Sequence, residues 1–375
     1  MNDYLQGSII QLIERGRVLL SKIPVDLPRE FHLLAQSCRQ RLCSVLDRLQ
    51  GLIDDPKMQL PLFQPERLRG LRRAARDMDF IETIGIAALN RANEDDKRLN
   101  VLIERIHHEI SYPLLPPVVT LLSQNYFCIY PLLNLLCLPL GEGDSLLHLP
   151  DLYHELAHPL IVEKYDPRAK PFQNSLSQAL DTAALYIAEE LEKEDRRRSP
   201  AQFAFYLRQW LRSWAESWAI ELFCDLFAVY TIGPAYAWAH LHLCAKRGGN
   251  PFSVPTLIPS THPSDDARMR TMLYGLHITG FSEVAGNIGQ RWNQLIAVSG
   301  MKPEPEYLRC YPDHVLKDFA QRAYEGVSAT GCCWSTTEMK GRVYIILNQA
   351  WVEFWNDPVN YLVWEREAVK KLKEL

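Results

Sequence analysis

His154-Glu155-Leu156-Ala157-His158 decides how this chain is read, because two histidines four residues apart on a helix present both imidazoles on one face. Successive helical residues turn by about 100°, so the two rings sit about 40° apart and one turn removed, close enough to share a tetrahedral ion. The spacing therefore predicts a helix that carries two ligands of a zinc ion. Glu155 projects toward the open side, where a glutamate in this pattern acts as a proton acceptor for water and not as a ligand. Such an ion needs a third protein ligand and one position left open.

The segment from Trp210 to Asp225 offers that ligand. Trp214, Trp218, Glu221 and Asp225 recur at helical spacing and share a face, which puts two carboxylates on an otherwise apolar stripe. A charge on a buried face is costly unless it is paired or bound to a metal. Glu221 as third ligand, with Asp225 holding a ligating histidine from behind, gives both acids a reason to be there. The alternative reading is a pair of ordinary acids on a helix surface.

With these residues in hand, the chain resembles the gluzincin metallopeptidases, in which H-E-x-x-H on one helix is completed by E-x-x-x-D on a later one. The matching positions are His154, Glu155, His158, Glu221 and Asp225. Thr261-His262-Pro263 with Arg268 is similar to the T-H-P-x-x-x-x-R element of the branch that contains the CaaX-prenyl proteases and heat-shock membrane peptidases. The likeness spans about Ser145 to Arg268. It implies a zincin-like peptidase domain with bound Zn2+ and a protein or peptide substrate. His262 or Arg268 would then steady the developing oxyanion, although His262 also reads as a loop residue closing a turn before a helix. In that group a small sheet stands upstream of the zinc helix, and its edge strand holds the substrate in extended form, a role that Leu146 to Leu149 is positioned to fill. The exopeptidase motif G-x-M-E-N is absent, so an endopeptidase is expected. The reading from another class is a non-catalytic zinc-binding regulatory or interaction protein on a zincin scaffold, and the presence of Glu155 argues for the enzyme.

Composition bounds the rest. With 375 residues and 47% hydrophobic side chains the chain can bury a sizeable core. A net charge of −4 supplies no field that would draw nucleic acid. The nine cysteines form no C-x-x-C pair and the first residues, Met-Asn-Asp-Tyr-Leu-Gln, contain no basic-then-apolar signal, which together suggest a cytoplasmic protein with thiols in a reducing compartment.

Taken in order, Phe31, Leu34, Cys38, Leu42, Val45, Leu49 and Leu52 recur every three or four residues and predict a helix, with Pro28 and Gly51 near its ends. Further helices are expected from Pro65 through Met78 and from Asn93 to Ile110, which makes 1–110 an N-terminal helical region ahead of the zincin-like domain at 111–375. Arg67, Arg69, Arg72, Arg73 and Arg76 form a basic stretch, either a solvated helix face or a surface for a regulatory partner. Ile110 to Gly141 contains no charged residue, but Pro113, Pro116, Pro117, Pro131 and Pro139 interrupt it, with Ser123-Gln124-Asn125 in its middle. A transmembrane span, or membrane contact through 110–141, is therefore not expected. Short buried strands fit better, at Tyr126 to Tyr130, Leu135 to Leu138 and Leu146 to Leu149. Pro159 predicts a kink or an end in the zinc helix. After it, Pro171 to Leu191 reads as a helix with a solvated charged end at 192–198, and Ser199-Pro200 as the opening of the next. His240-Leu-His-Leu-Cys244 alternates as a second metal site would, but on a continuing helix these side chains are not expected to converge, so it reads as packing or surface. Ser264 reads as a helix cap and 335–348 as partly extended. The fold expected is mainly α with a small β-sheet, of the α+β kind.

Overall fold

The computed structural model describes residues 2–123, 126–197, 201–333, 335–336 and 341–374. Gln124-Asn125, read as a break in the uncharged run, and Ser199-Pro200, read as a helix opening, lie outside the described residues. The protein is mainly helical with one small sheet, as the apolar periodicities require. No helix among the described residues is long and apolar enough to cross a membrane.

Contacts divide the chain into two compact units, 1–101 with 117–140, and 102–116 with 141–375. The first unit contains α1 (Asn2–Lys22), α2 (His32–Asp54), α3 (Gln64–Phe80), a π-helical turn (Ile81–Ile86), α4 (Ala87–Arg91) and the start of α5 (Glu94–Glu109). The stripe read in the sequence is the one α2 buries: Leu34, Cys38, Leu42, Val45 and Leu49 pack with Ile9 and Ile13 of α1 and Ala74 and Met78 of α3. Of the basic stretch, Arg69, Arg72, Arg73 and Arg76 are exposed. Arg67 is fully buried and donates to Gln59 at 3.1 Å, so it is no part of a solvated face.

The sheet differs from the expected one in membership and in place. β1 (Val118–Ser123) lies parallel to β3 (Leu135–Pro139), with Val118 opposite Leu135, and β2 (Cys128–Tyr130) runs antiparallel to β3, with Cys128 opposite Cys137. β1 was not among the expected strands: it begins directly after the breaker pair Pro116-Pro117, and the β-branched run Val118-Val119-Thr120 gives it its extended form. Leu146 to Leu149 is not a strand but a series of turns, closed by bonds such as His148 N to Ser145 O, so it supplies no edge for a peptide. The boundary read after residue 110 also moves. Val118, Leu135 and Cys137 share the α2 core, and burial there joins the sheet to the N-terminal helices.

The second edge of β1 is closed by side chains. Asn100 of α5 donates to Val119 O at 2.8 Å and accepts from Val119 N at 2.9 Å, while Asp96 accepts from Leu121 N at 2.7 Å. Together they imitate a neighbouring strand, which explains two buried polar residues on an amphipathic helix.

The second unit comprises the end of α5 and then α6 (Asp151–Val162), α7 (Lys170–Arg197), α8 (Ala201–Ser213), a π-helical turn (Trp214–Trp218), α9 (Ala219–Ile232), α10 (Pro234–Arg247), α11 (Asp265–Ile278), α12 (Ser282–Ser299), α13 (Pro305–Cys310), α14 (Asp313–Ala329), α15 (Arg342–Asn356) and α16 (Tyr361–Lys373). The charged run through Arg197 continues α7, and 342–348 is helical, where partly extended chain was expected. α9 is the axis: every residue from Leu222 to Ile232 is buried, and α6, α7, α10, α11 and α14 pack around it. An all-round apolar helix has no other stable location. Pro159 does not end α6, which continues to Val162. The turn beyond the proline persists because Gln173 of α7 donates to the carbonyls of Leu160 and Glu163, at 2.8 and 2.6 Å, satisfying acceptors that a helix end leaves open.

Asn100→Ala should lower stability by about 1–3 kcal/mol, the cost of leaving buried backbone groups of β1 without partners. Hydrogen exchange at the Val119 amide checks it: exchange as slow as in the parent would mean that β1's edge is closed by something else.

Candidate metal centre

α6 places His154 and His158 one turn apart, with ring centroids 5.2 Å from each other. Leu152, Tyr153, Leu156 and Ala157 of the same helix are buried, and Tyr112 donates to Leu156 O at 2.7 Å, so α6 is pinned by packing and by a hydrogen bond at its motif. α9 crosses it and presents Glu221 and Asp225, again one turn apart.

The two acids address opposite sides of one imidazole. His154 Nδ1 donates to Asp225 Oδ1 at 2.9 Å, and His154 Nε2 lies 3.5 Å from Glu221 Oε2. His158 Nε2 is 4.0 Å from Glu221 Oε1, and His262 Nε2, arriving from the loop before α11, is 3.9 Å from Glu221 Oε2. His154, His158, Glu221, Asp225 and His262 therefore come together here, and Glu155, next to His154 on α6, is buried. The side chain of His262 is 62% exposed, which puts it on the open side of the cluster.

Asp225 is 0% exposed. Arg268 of α11 donates to it twice, Nε to Oδ2 at 2.7 Å and an Nη to Oδ1 at 2.6 Å, and the Tyr236 hydroxyl of α10 donates to Oδ1 at 2.5 Å. Arg268 is itself buried, with its guanidinium turned to Asp225, so the geometry makes it a holder of that carboxylate and not the transition-state donor the motif suggested. Tyr236 lies 2.8 Å from His154 Nδ1 and was not singled out in the sequence. No local pattern marks it, since it reaches the site only because α10 folds back along α9.

The charges follow from these contacts. Burial would push the His154 imidazole down, but hydrogen bonds to Asp225 and Glu221 and their charges overcome it and raise it to about 10. Burial would likewise raise Glu221, and the His154 contact reverses this to leave it lowered to about 2. Asp225 is held far below the carboxylate range by Arg268 against its burial. His158 moves the other way, lowered to about 4 by burial and then by the His154 charge, and so is neutral. One ionised acid, Glu221, thus faces the Nε2 atoms of the histidine pair, while the other, Asp225, lies on the Nδ1 side with its charge offset by Arg268.

A zinc ion bound at about 2.0–2.2 Å sets tetrahedral donors about 3.3–3.6 Å apart. The 3.5 Å between His154 Nε2 and Glu221 Oε2 meets this, whereas His158 Nε2 lies 4.0 Å from the other oxygen, Oε1, so the carboxylate has to turn and close for both rings and one of its oxygens to share an ion. Donor chemistry fits as well, since two imidazoles and a carboxylate, with a second carboxylate fixing the Nδ1–H tautomer, are what zinc takes. One further donor was missed by the sequence reading. Cys224, fully buried on α9, brings its sulfur within 4.8 Å of donor atoms of His154 and His158, and burial holds its thiol protonated.

Arg268→Ala should destabilise the protein by about 3–5 kcal/mol, because it leaves Asp225 as an uncompensated buried charge. Arg268→Ala combined with Asp225→Leu should recover much of that loss. Thermal melts of the single and double variants check the pair, and additive losses would show that the two residues do not act together. Set beside known proteins, the chain matches no family model, no curated protein and no solved structure.

Proposed function

We propose that this centre holds one zinc ion through His154, His158 and Glu221 and hydrolyses peptide bonds as an endopeptidase. The observation that carries the reading is the Glu221 carboxylate facing the Nε2 atoms of both histidines of an H-E-x-x-H helix, while Asp225 holds His154 from behind. Zinc bound there acts as a Lewis acid toward the scissile carbonyl and brings the pKa of water toward neutrality.

Glu155 takes the proton of the attacking water and returns it to the departing amine. Asp225, Tyr236 and Arg268 orient the His154 ring so that Nε2, and not Nδ1, faces the reacting side. His262, on the exposed side near Glu221, donates a hydrogen bond to the oxygen that gains charge. A protein or peptide is the substrate class, in keeping with the H-E-x-x-H and E-x-x-x-D likeness.

One observation favours a second reading. Cys224 close to both histidines could close the fourth position, which would make the centre structural and the protein a non-catalytic zinc-binding regulator. Chelator-sensitive cleavage of a mixed peptide library, measured with zinc content, separates the two. On the enzyme reading Cys224→Ser keeps both zinc and cleavage; on the structural reading it weakens zinc binding and the parent cuts nothing.

Glu155→Gln should retain zinc and fold while hydrolysis falls by about 10²–10⁴ or more, since the amide keeps the shape but cannot accept a proton. Activity within a few-fold of the parent would remove Glu155 from the reaction. His262→Ala should lower kcat and kcat/KM together by about 10²–10³ with zinc content and Tm unchanged. A lower Tm with kcat of the folded fraction intact would instead make His262 a turn residue.

A further inference from the structure

α10 presents a second group of ligating side chains that the hydrolytic site does not use. His240 and Cys244 stand four residues apart, the spacing that aligns His154 with His158, and His240 Nε2 lies 3.5 Å from Cys244 Sγ. Asp265, the first residue of α11, completes the group, and one donor atom from each of the three lies within 4.8 Å of the others. His240 is 2% and Cys244 8% exposed, and the Asp265 side chain is 14% exposed. Of the alternating run His240-Leu-His-Leu-Cys244, whose members were not expected to converge, His240 and Cys244 do meet, while His242 turns away to Trp351 and Phe354.

We propose that His240, Cys244 and Asp265 form a second metal site, selective for zinc or a similarly thiophilic divalent ion. Imidazole, thiolate and carboxylate together suit zinc, whereas magnesium and calcium require oxygen donors throughout. Binding replaces the thiol proton, which leaves to solvent, and the contact from His240 Nε2 to Asp265 O, now 3.2 Å. Arg247 holds Asp265 Oδ1 at 2.6 Å from a half-exposed position, which orients the carboxylate and lets the guanidinium withdraw into solvent as a cation arrives.

Location gives this site its task. Tyr236 precedes His240 by one turn on α10, and Arg268 follows Asp265 by three residues on α11. These two side chains are the ones that grip Asp225 behind His154. An ion tying α10 to α11 fixes the separation of the two helices and hence the aim of the His154 ring. The ion is structural, and its three protein ligands are positioning residues for the first centre.

Metal analysis of the full-length protein after zinc saturation and removal of loose ions tests the proposal without reference to hydrolysis. Cys244→Ser and Asp265→Asn should each carry one ion fewer than the parent, and Glu221→Ala should leave that ion in place. Equal metal content in the parent and both variants overturns the site. Cobalt replacement adds a signature for the sulfur: the near-ultraviolet sulfur-to-cobalt band should vanish in Cys244→Ser and survive in Cys224→Ser. The reverse pattern would assign the thiolate to the first centre and overturn the proposal. If Cys244→Ser fails to fold, Asp265→Asn decides by metal content, because that side chain sits at a partly exposed helix start.

Discussion

A single carboxylate, Asp225, organises the second unit. It sits at 0% exposure on a helix that is apolar on every side, and its charge is tolerable only because three other segments deliver partners to it. α11 supplies Arg268, α10 supplies Tyr236 and α6 supplies His154. Such a network contributes little net stability relative to a well-packed apolar core, since each member also gave up its hydration. What it does fix is register: α6, α10 and α11 can each slide or rotate on α9 only by leaving a buried polar group unpaired.

That register creates the division of labour around His154. Asp225 takes Nδ1, and its own charge is answered by Arg268, so it acts as a neutralised clamp. Glu221, one turn earlier on the same helix, has no such arginine bond and turns its charge to the Nε2 side of the histidines. The imidazole held protonated at His154 and the carboxylate kept ionised at Glu221 are two views of this asymmetry: the Glu221 side favours positive charge, here the proton on His154. His158, neutral by burial and by repulsion from His154, presents a lone pair to the same place.

The first unit meets the same physical demand with side chains that pair with backbone instead of with one another. β1 would leave backbone donors and acceptors buried along one edge, and Asn100 and Asp96 fill them as a neighbouring strand would. A helix whose sequence looks like an ordinary amphipathic surface helix is thereby committed to the sheet by two polar side chains.

The sequence by itself determined what local periodicity and short spacing encode. The α2 stripe from Leu34 to Leu49, the Ser264 cap and the pairing of His154 with His158 depend on contacts within one or two helical turns, so one chain segment contains the whole signal. Glu221 and Asp225 were legible too, because two acids on an apolar stripe must have a buried partner. Only the tertiary structure decided which partner each receives. Tyr236, Arg268's turn toward Asp225, Cys224's approach to the histidines and the meeting of His240 with Asp265 all require helices distant in sequence to pack at one particular register. The same holds for β1 and for Leu146 to Leu149, whose short apolar runs look alike along the chain. What separates them is the availability of β3 and Asn100 beside one run and of turn-closing hydrogen bonds within the other.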